Sequence, residues 1–241
     1  MRAETRHQLK QDAFSRATLG VAEKTAHWSV EHRNTIAAVV VVAVVVAAVA
    51  LGSWYYLSTQ DEKASFDLSE AIRTLNMPLR AAGTPEQPDA PSFASAKERA
   101  GAAQKKFQAI VDKYPHTRTA DMSRYFLGVT AADAGDNAAA ENYYKAVIAT
   151  GNKDLASVAK LALASLEGNT GRSKEAIALY QELISHPTAS VSKVTAELQL
   201  AELYQNSNQP LDAKRLYEQI KKDNPGPEAV QIASQKLAEL K

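Results

Sequence analysis

Side chains able to carry acid–base or metal chemistry are few and scattered. Five histidines occur, His7, His27, His32, His116 and His186. His27 and His32 stand five apart, whereas residues sharing a helix face stand three or four apart, so the pair makes no ligand set. His116 and His186 each adjoin a proline, Pro115 and Pro187, where a solvated loop histidine is expected. There is no cysteine, which excludes thiol catalysis, disulfides and cysteine-bound zinc or iron–sulfur clusters. Asp61-Glu62 is a carboxylate pair, but neighbours in a helix point to different faces, and a solvated juxtamembrane turn is the expected setting. Neither G-x-G-x-x-G nor G-x-x-x-x-G-K-S/T occurs, nor a G-x-S-x-G elbow. These residues predict no catalysis, no cofactor, no metal and no small-molecule substrate.

A polyelectrolyte partner is not indicated either. The 241 residues hold 28 Lys+Arg against 27 Asp+Glu, a formal charge of +1. Lys105-Lys106 and Lys221-Lys222 are isolated pairs without interleaved aromatics, so no nucleic-acid partner is expected. Alanine is the compositional outlier at 44 residues, and it favours closely packed helices over strands.

The run Ile36 to Leu57, IAAVVVVAVVVAAVALGSWYYL, is 22 residues without a charge. As a helix rising about 1.5 Å per residue it reaches across a hydrocarbon core of about 30 Å. Trp54, Tyr55 and Tyr56 fall where an interfacial aromatic belt belongs. Ala48-Val49-Ala50 has the form of a signal-peptide cleavage site. The 35 residues ahead of the run and its unbroken continuation through Tyr56 favour an uncleaved anchor. Residues 1–35 carry six cations and the twenty residues after Leu57 carry two, Lys63 and Arg73. That asymmetry predicts a cytoplasmic N-terminus and an exported C-terminal body. The expected division is 1–35 cytoplasmic segment, 36–57 transmembrane helix and 58–241 extracytoplasmic repeat domain. Within 1–35 a short partner-binding helix near residues 5–18 and a flexible tail are both compatible with the pattern.

Residues 58–241 repeat themselves. Leu127-Gly128, Leu163-Ala164 and Leu200-Ala201 align at spacings of 36 and 37 residues. Downstream, Ala140, Ala176 and Ala213 are each followed by Tyr144, Tyr180 and Tyr217, then by Val147, Leu183 and Ile220. Small residues let paired helices approach, and the tyrosine fills the gap to the next pair. Gly135-Asp136, Gly171-Arg172 and Asn208-Gln209-Pro210 occupy the turns; Pro115, Pro187 and Pro225 close second helices. Ala103, Phe107 and Ile110 continue the register upstream, implying a first helix over about 60–82 before the Pro-rich loop Gly83 to Ser92. Residues 227–241 suit a capping helix.

This pattern resembles the tetratricopeptide repeat. The positions usually held by tryptophan carry Arg124, Lys160 and Glu197, so the units are degenerate. The expected fold is all-α, a single transmembrane helix followed by a right-handed α-solenoid of tetratricopeptide-like helix pairs. The whole layout, with HQLKQDAF (His7 to Phe14) and HWSVEHR (His27 to Arg33) ahead of the apolar run, resembles the YfgM-type family of bacterial inner-membrane proteins. That resemblance implies an ancillary subunit of the SecYEG secretory translocon that engages periplasmic chaperones. A self-associating or envelope-assembly module is the alternative.

In this register the concave surface is formed by first helices. Its expected lining is Met122, Tyr125, Val129 and Asp133, then Val158, Leu161 and Ser165, then Leu198, Glu202 and Gln205. The mixture lacks a Lys/Arg/Asn cluster for gripping a terminal carboxylate and suits a partner helix or extended segment. Leu161 and Leu198 fit inter-helix packing as well as ligand contact.

Overall fold

The computed structural model describes residues 32–81, 83–84, 91–223 and 226–240, and among them nine helices and no strand. They run α1 Arg33–Leu75, α2 Ala96–Lys113, α3 Arg118–Asp133, α4 Asn137–Ile148, α5 Lys153–Asn169, α6 Ser173–Ser185, α7 Lys193–Asn206, α8 Pro210–Asp223 and α9 Pro227–Glu239. The chain divides into two units, Met1–Tyr56 and Leu57–Lys241.

In the first unit α1 is long and apolar enough to cross a membrane, and none of its most apolar stretch is buried by protein. Val39 to Val46, Leu51 and Trp54 to Tyr56 are all exposed. The candidate helix at 5–18, together with His7, His27 and Pro225, lies outside the described residues.

The second unit is an all-α solenoid. Each helix from α2 to α9 packs on the next, and the first helices α3, α5 and α7 also touch in succession. That is the geometry of stacked helix pairs with first helices on the inner side. Ala140, Tyr144 and Val147 on α4, Ala176, Tyr180 and Leu183 on α6, and Ala213, Tyr217 and Ile220 on α8 are all buried. The sequence register is therefore the packing register. Gly128 shows why a small residue precedes each tyrosine: a Cβ there would lie 2.5 Å from Tyr144 Cε1. The turns follow the same logic, with Gly135, Gly171 and Asn208 at φ of 80°, 82° and 58°. Between α4 and α5 the stop is Gly151 at φ 80° rather than a proline. Helix starts are capped by Thr117, Asp136, Asn152 and Ser192, each accepting a backbone N–H from the first turn.

Two expectations need correction. The upstream first helix ends at Leu75, not near 82, and it is the continuation of the apolar helix rather than a separate element. Pro78 sets the end, because a proline and the residue before it disfavour helical continuation. Beyond it, Arg80 N–H donates to the Phe93 carbonyl at 2.9 Å and Phe93 N–H to the Pro78 carbonyl at 3.1 Å, closing the loop ends. Asp61-Glu62 is not in a turn. Asp61 lies within α1, where its Oδ1 accepts the Thr119 N–H at 2.9 Å and so caps α3 from a neighbouring helix.

Around that contact α1 and α2 form the first helix pair. Ala64, Ala71, Ala103, Phe107, Ile110, Tyr114 and Leu127 share one core. Phe107 stacks on Phe126 at 5.1 Å between ring centroids. Lys106–Glu70 (2.5 Å) and Tyr114 Oη–Asp67 (3.2 Å) tie the pair at its rim. At the array's other end α9 buries only Ala233 fully and packs on α8 through Ala229, Leu237 and Leu240.

Candidate functional site

The ten expected lining residues fall on α3, α5 and α7, the helices that form the inner row. The structure sorts them into two groups. Tyr125 and Val129 are half-buried against the core between α3, α4 and α5. Val158 and Leu161 pack against the next core, and Leu198 against the last. Tyr125 sets its ring 5.6 Å from Phe126, edge on, and 6.0 Å from Tyr144. Burial raises the Tyr125 hydroxyl above the usual tyrosine range. These five side chains are part of the solenoid's own packing and present an edge, not a full face, to a partner.

The other five are more open. Met122 is 37% exposed, Asp133 and Ser165 are exposed, and Glu202 and Gln205 are half-buried. Ser165 and Glu202 meet across a cleft of about 190 Å³ between α5 and α7. Its other walls are Ala164, Gly168 and Asn169 on α5, Gln199, Leu203 and Asn206 on α7, and Tyr180 from α6. Gly168 lets Leu203 approach α5 closely, since a Cβ there would meet Leu203 Cδ1 at 2.8 Å. Burial, with the Glu202 charge as second cause, pushes Tyr180 up to about 12. Tyr217 is also raised to about 12, first by burial and then by Glu202 and Glu239.

Gly168, Asn169, Gln199 and Asn206 are absent from the lining that spacing alone predicts. A signal for two of them exists in the sequence: Asp133, Asn169 and Asn206 hold one register position in successive units, 36 and 37 residues apart. Gln205 Oε1 and Tyr217 Oη are buried with no hydrogen-bond partner.

The positions that tryptophan usually holds carry paired charges. Arg124 binds Asp121 at 2.5 Å and the Pro115 carbonyl at 3.0 Å; Lys160 pairs with Glu182; Glu197, 2% exposed, pairs with Lys193 at 3.4 Å. Elsewhere Glu141 joins Lys145 (2.6 Å) and Arg172 (2.8 Å), and hydrogen bonds from Arg172 and then Lys145 hold its carboxyl at about 2. A second, largely apolar depression of about 580 Å³ lies between the ends of α4 and α6 and the start of α5, bordered by Lys153, Lys160 and His186. His32, His116 and His186 are exposed, and no group of three or more His, Asp or Glu among the described residues could hold a metal ion.

An inner row of half-buried apolar edges broken by a polar cleft defines an α-solenoid interaction module. The chain belongs to the tetratricopeptide repeat-like domain family, whose model matches residues 26–185. A tetratricopeptide repeat model matches residues 195–226. Among solved structures it is similar to a putative kinesin light chain of Podosopora anserina with nearly identical TPR-like repeats. The identity is 16%, the TM-score 0.54, and the match covers 74% of this chain and 85% of that one. A point variant of that protein matches at 16% identity and TM-score 0.51, covering 74% and 91%. At that identity the likeness concerns the fold. No curated protein matches the chain. Repeats of this kind are protein–protein interaction scaffolds, and the fold is typically non-catalytic.

Proposed function

We propose that the chain is a membrane-anchored scaffold, with the 36–57 stretch of α1 as a single-pass anchor in a bacterial inner membrane, its N-terminus cytoplasmic and residues 58–241 periplasmic. The observation that carries the reading is the start of α1: an apolar stretch left uncovered among the described residues, in a chain that also carries an interaction solenoid. Leaving that many valines in water would cost several kcal/mol at about 25 cal/mol per Å² of apolar surface, and a bilayer removes the cost. The cation asymmetry favours the stated orientation.

Within that reading the scaffold is an ancillary subunit or chaperone adaptor at the SecYEG translocon, presenting its inner row to periplasmic chaperones or clients. Support comes from the YfgM-type resemblance of the layout. Anchoring confines the row to the membrane surface and raises the effective concentration of a partner there. Photocrosslinking in cells from Tyr125 and Leu198 is the test, with topology reporters at both ends. Adducts with a translocon subunit or periplasmic chaperone are expected. Adducts with neither, or a reporter placing Lys241 in the cytoplasm, would refute it.

Self-association is the second reading, favoured by Phe66 on α1, a large apolar side chain left 74% exposed just beyond the apolar run. A detergent-stable oligomer lost in Phe66→Ser would identify it.

A further inference from the structure

The cleft between α5 and α7 differs from the rest of the inner row in chemistry. The row is otherwise dominated by Met122, Tyr125, Val129, Val158, Leu161 and Leu198, yet here the walls are Ser165, Asn169, Gln199, Glu202 and Asn206. No lysine or arginine lines it. The side chains of Asn169, Gln199 and Asn206 make no hydrogen bond among the described residues. The one full charge in its lining is Glu202, and the cation paired with it among the described residues is weakly placed. Lys236 of α9 stands 3.9 Å from Glu202 Oε1 and nearer, 3.5 Å, to Glu239. The Glu202 side chain is 46% exposed, and a contact at 3.9 Å leaves it open to a closer donor of positive charge.

We infer that this cleft is a subsite for a basic side chain, lysine or arginine, of an extended protein segment lying along the inner row. It rests on the reading of that row as the partner surface and adds the chemistry of one contact. The cation sits on Glu202, Ser165 and the carboxamides of Asn169, Gln199 and Asn206 complete its hydrogen bonds, and its alkyl stem lies over Gly168 and Leu203. Lys236 is the internal competitor, a cation of the protein's own last helix held at the edge of the site until a partner supplies a better one. The equivalent position one unit earlier carries Asp133 in place of a carboxamide, so the same segment meets acceptor groups along successive units.

The test uses the full chain in detergent micelles and a randomised library of capped nine-residue peptides. Selection on the wild type should enrich Lys or Arg at one position. The enriched peptide should lose about tenfold in affinity when that residue becomes norleucine, the size expected for one charge-assisted contact in a partly open site. Glu202→Gln should abolish the difference between the two peptides. Lys236→Ala should tighten the basic peptide while leaving the norleucine peptide unchanged, a gain that a merely structural Glu202–Lys236 pair would not produce. Raising salt should weaken only the basic peptide. Peptides that bind, compete with crosslinking from Tyr125 and show no basic preference would overturn the subsite and leave the scaffold reading standing. A library from which nothing is retained would overturn both.

Discussion

Gly128 offers a test of whether the tyrosine-on-small-residue contact sets the spacing of the helix pairs. It lies inside α3, where alanine is worth about 1 kcal/mol more than glycine by intrinsic helix preference. A bare propensity argument therefore predicts that Gly128→Ala stabilises. The structure predicts the reverse. The new methyl would lie 2.5 Å from Tyr144 Cε1 and 2.7 Å from Cδ1, both ring atoms. The ring cannot swing aside, since Tyr144 is buried among Ala140, Val147 and Leu163. Overpacking of this kind costs about 1–3 kcal/mol, so after the propensity gain the variant should lose about 1 kcal/mol, taking the middle of that range. For a unit of this size that is a fall of about 2–4 °C in Tm. Gly101 in α2 is the internal control: nothing lies within 4 Å of the place its added methyl would take, and Gly101→Ala should raise Tm by about 2–4 °C. Thermal melts of the full chain in micelles, followed by far-ultraviolet circular dichroism, read both. Tyr144→Phe keeps the clashing carbons and should not rescue Gly128→Ala, whereas Tyr144→Leu should relieve part of the loss in a double-mutant cycle. Equal stabilisation by both alanines would refute the contact as the determinant of helix approach.

Asp61→Ala removes the carboxylate that accepts the Thr119 N–H and should cost about 1 kcal/mol, with Asp61→Asn recovering most of it in urea titrations. Tyr217→Phe deletes a buried hydroxyl without a partner, so stability should hold or rise by up to about 1 kcal/mol in the same titration. Glu141, held at about 2 by Arg172 and Lys145, lies below its unfolded value of about 4.3. Its contribution is thus complete above roughly pH 5 and is lost as pH falls through about 4 toward 2. Glu141→Gln should lower Tm at pH 7 by an amount equivalent to no more than about 1 kcal/mol and leave it unchanged near pH 2, measured by melts across that range.

The repeat was legible because its signal is local and periodic. Ala140, Tyr144 and Val147, and their counterparts one and two units on, are buried where the register placed them, and Gly135, Gly171 and Asn208 adopt the left-handed turns assigned to them. The fusion of the apolar run with the first pair's leading helix was hidden, because the charges of Asp61, Glu62 and Lys63 read as a break in hydropathy although they do not interrupt a helix. Asp61's role was hidden for another reason: its partner, Thr119, is 58 residues away and reached only by packing. Spacing put the expected lining residues on α3, α5 and α7, the helices that touch in succession. Which of them open to solvent was not readable, because Val158, Leu161 and Leu198 are half-covered through packing between neighbouring pairs. The close approach of Leu203 at the cleft in turn depends on a side chain that is absent, at Gly168.

The thin attachment of α9 carries a consequence for how the array opens. In a linear stack a terminal element is covered on one side only, and α9 is held by a single fully buried alanine, a few partly covered aliphatics and the long Lys236–Glu202 contact. It should be the first element to fray, with its amides exchanging hydrogen well before those of α5 or α6. Detachment would carry Lys236 away from Glu202, so thermal breathing at one tip changes the electrostatic character of the interior surface two helices away.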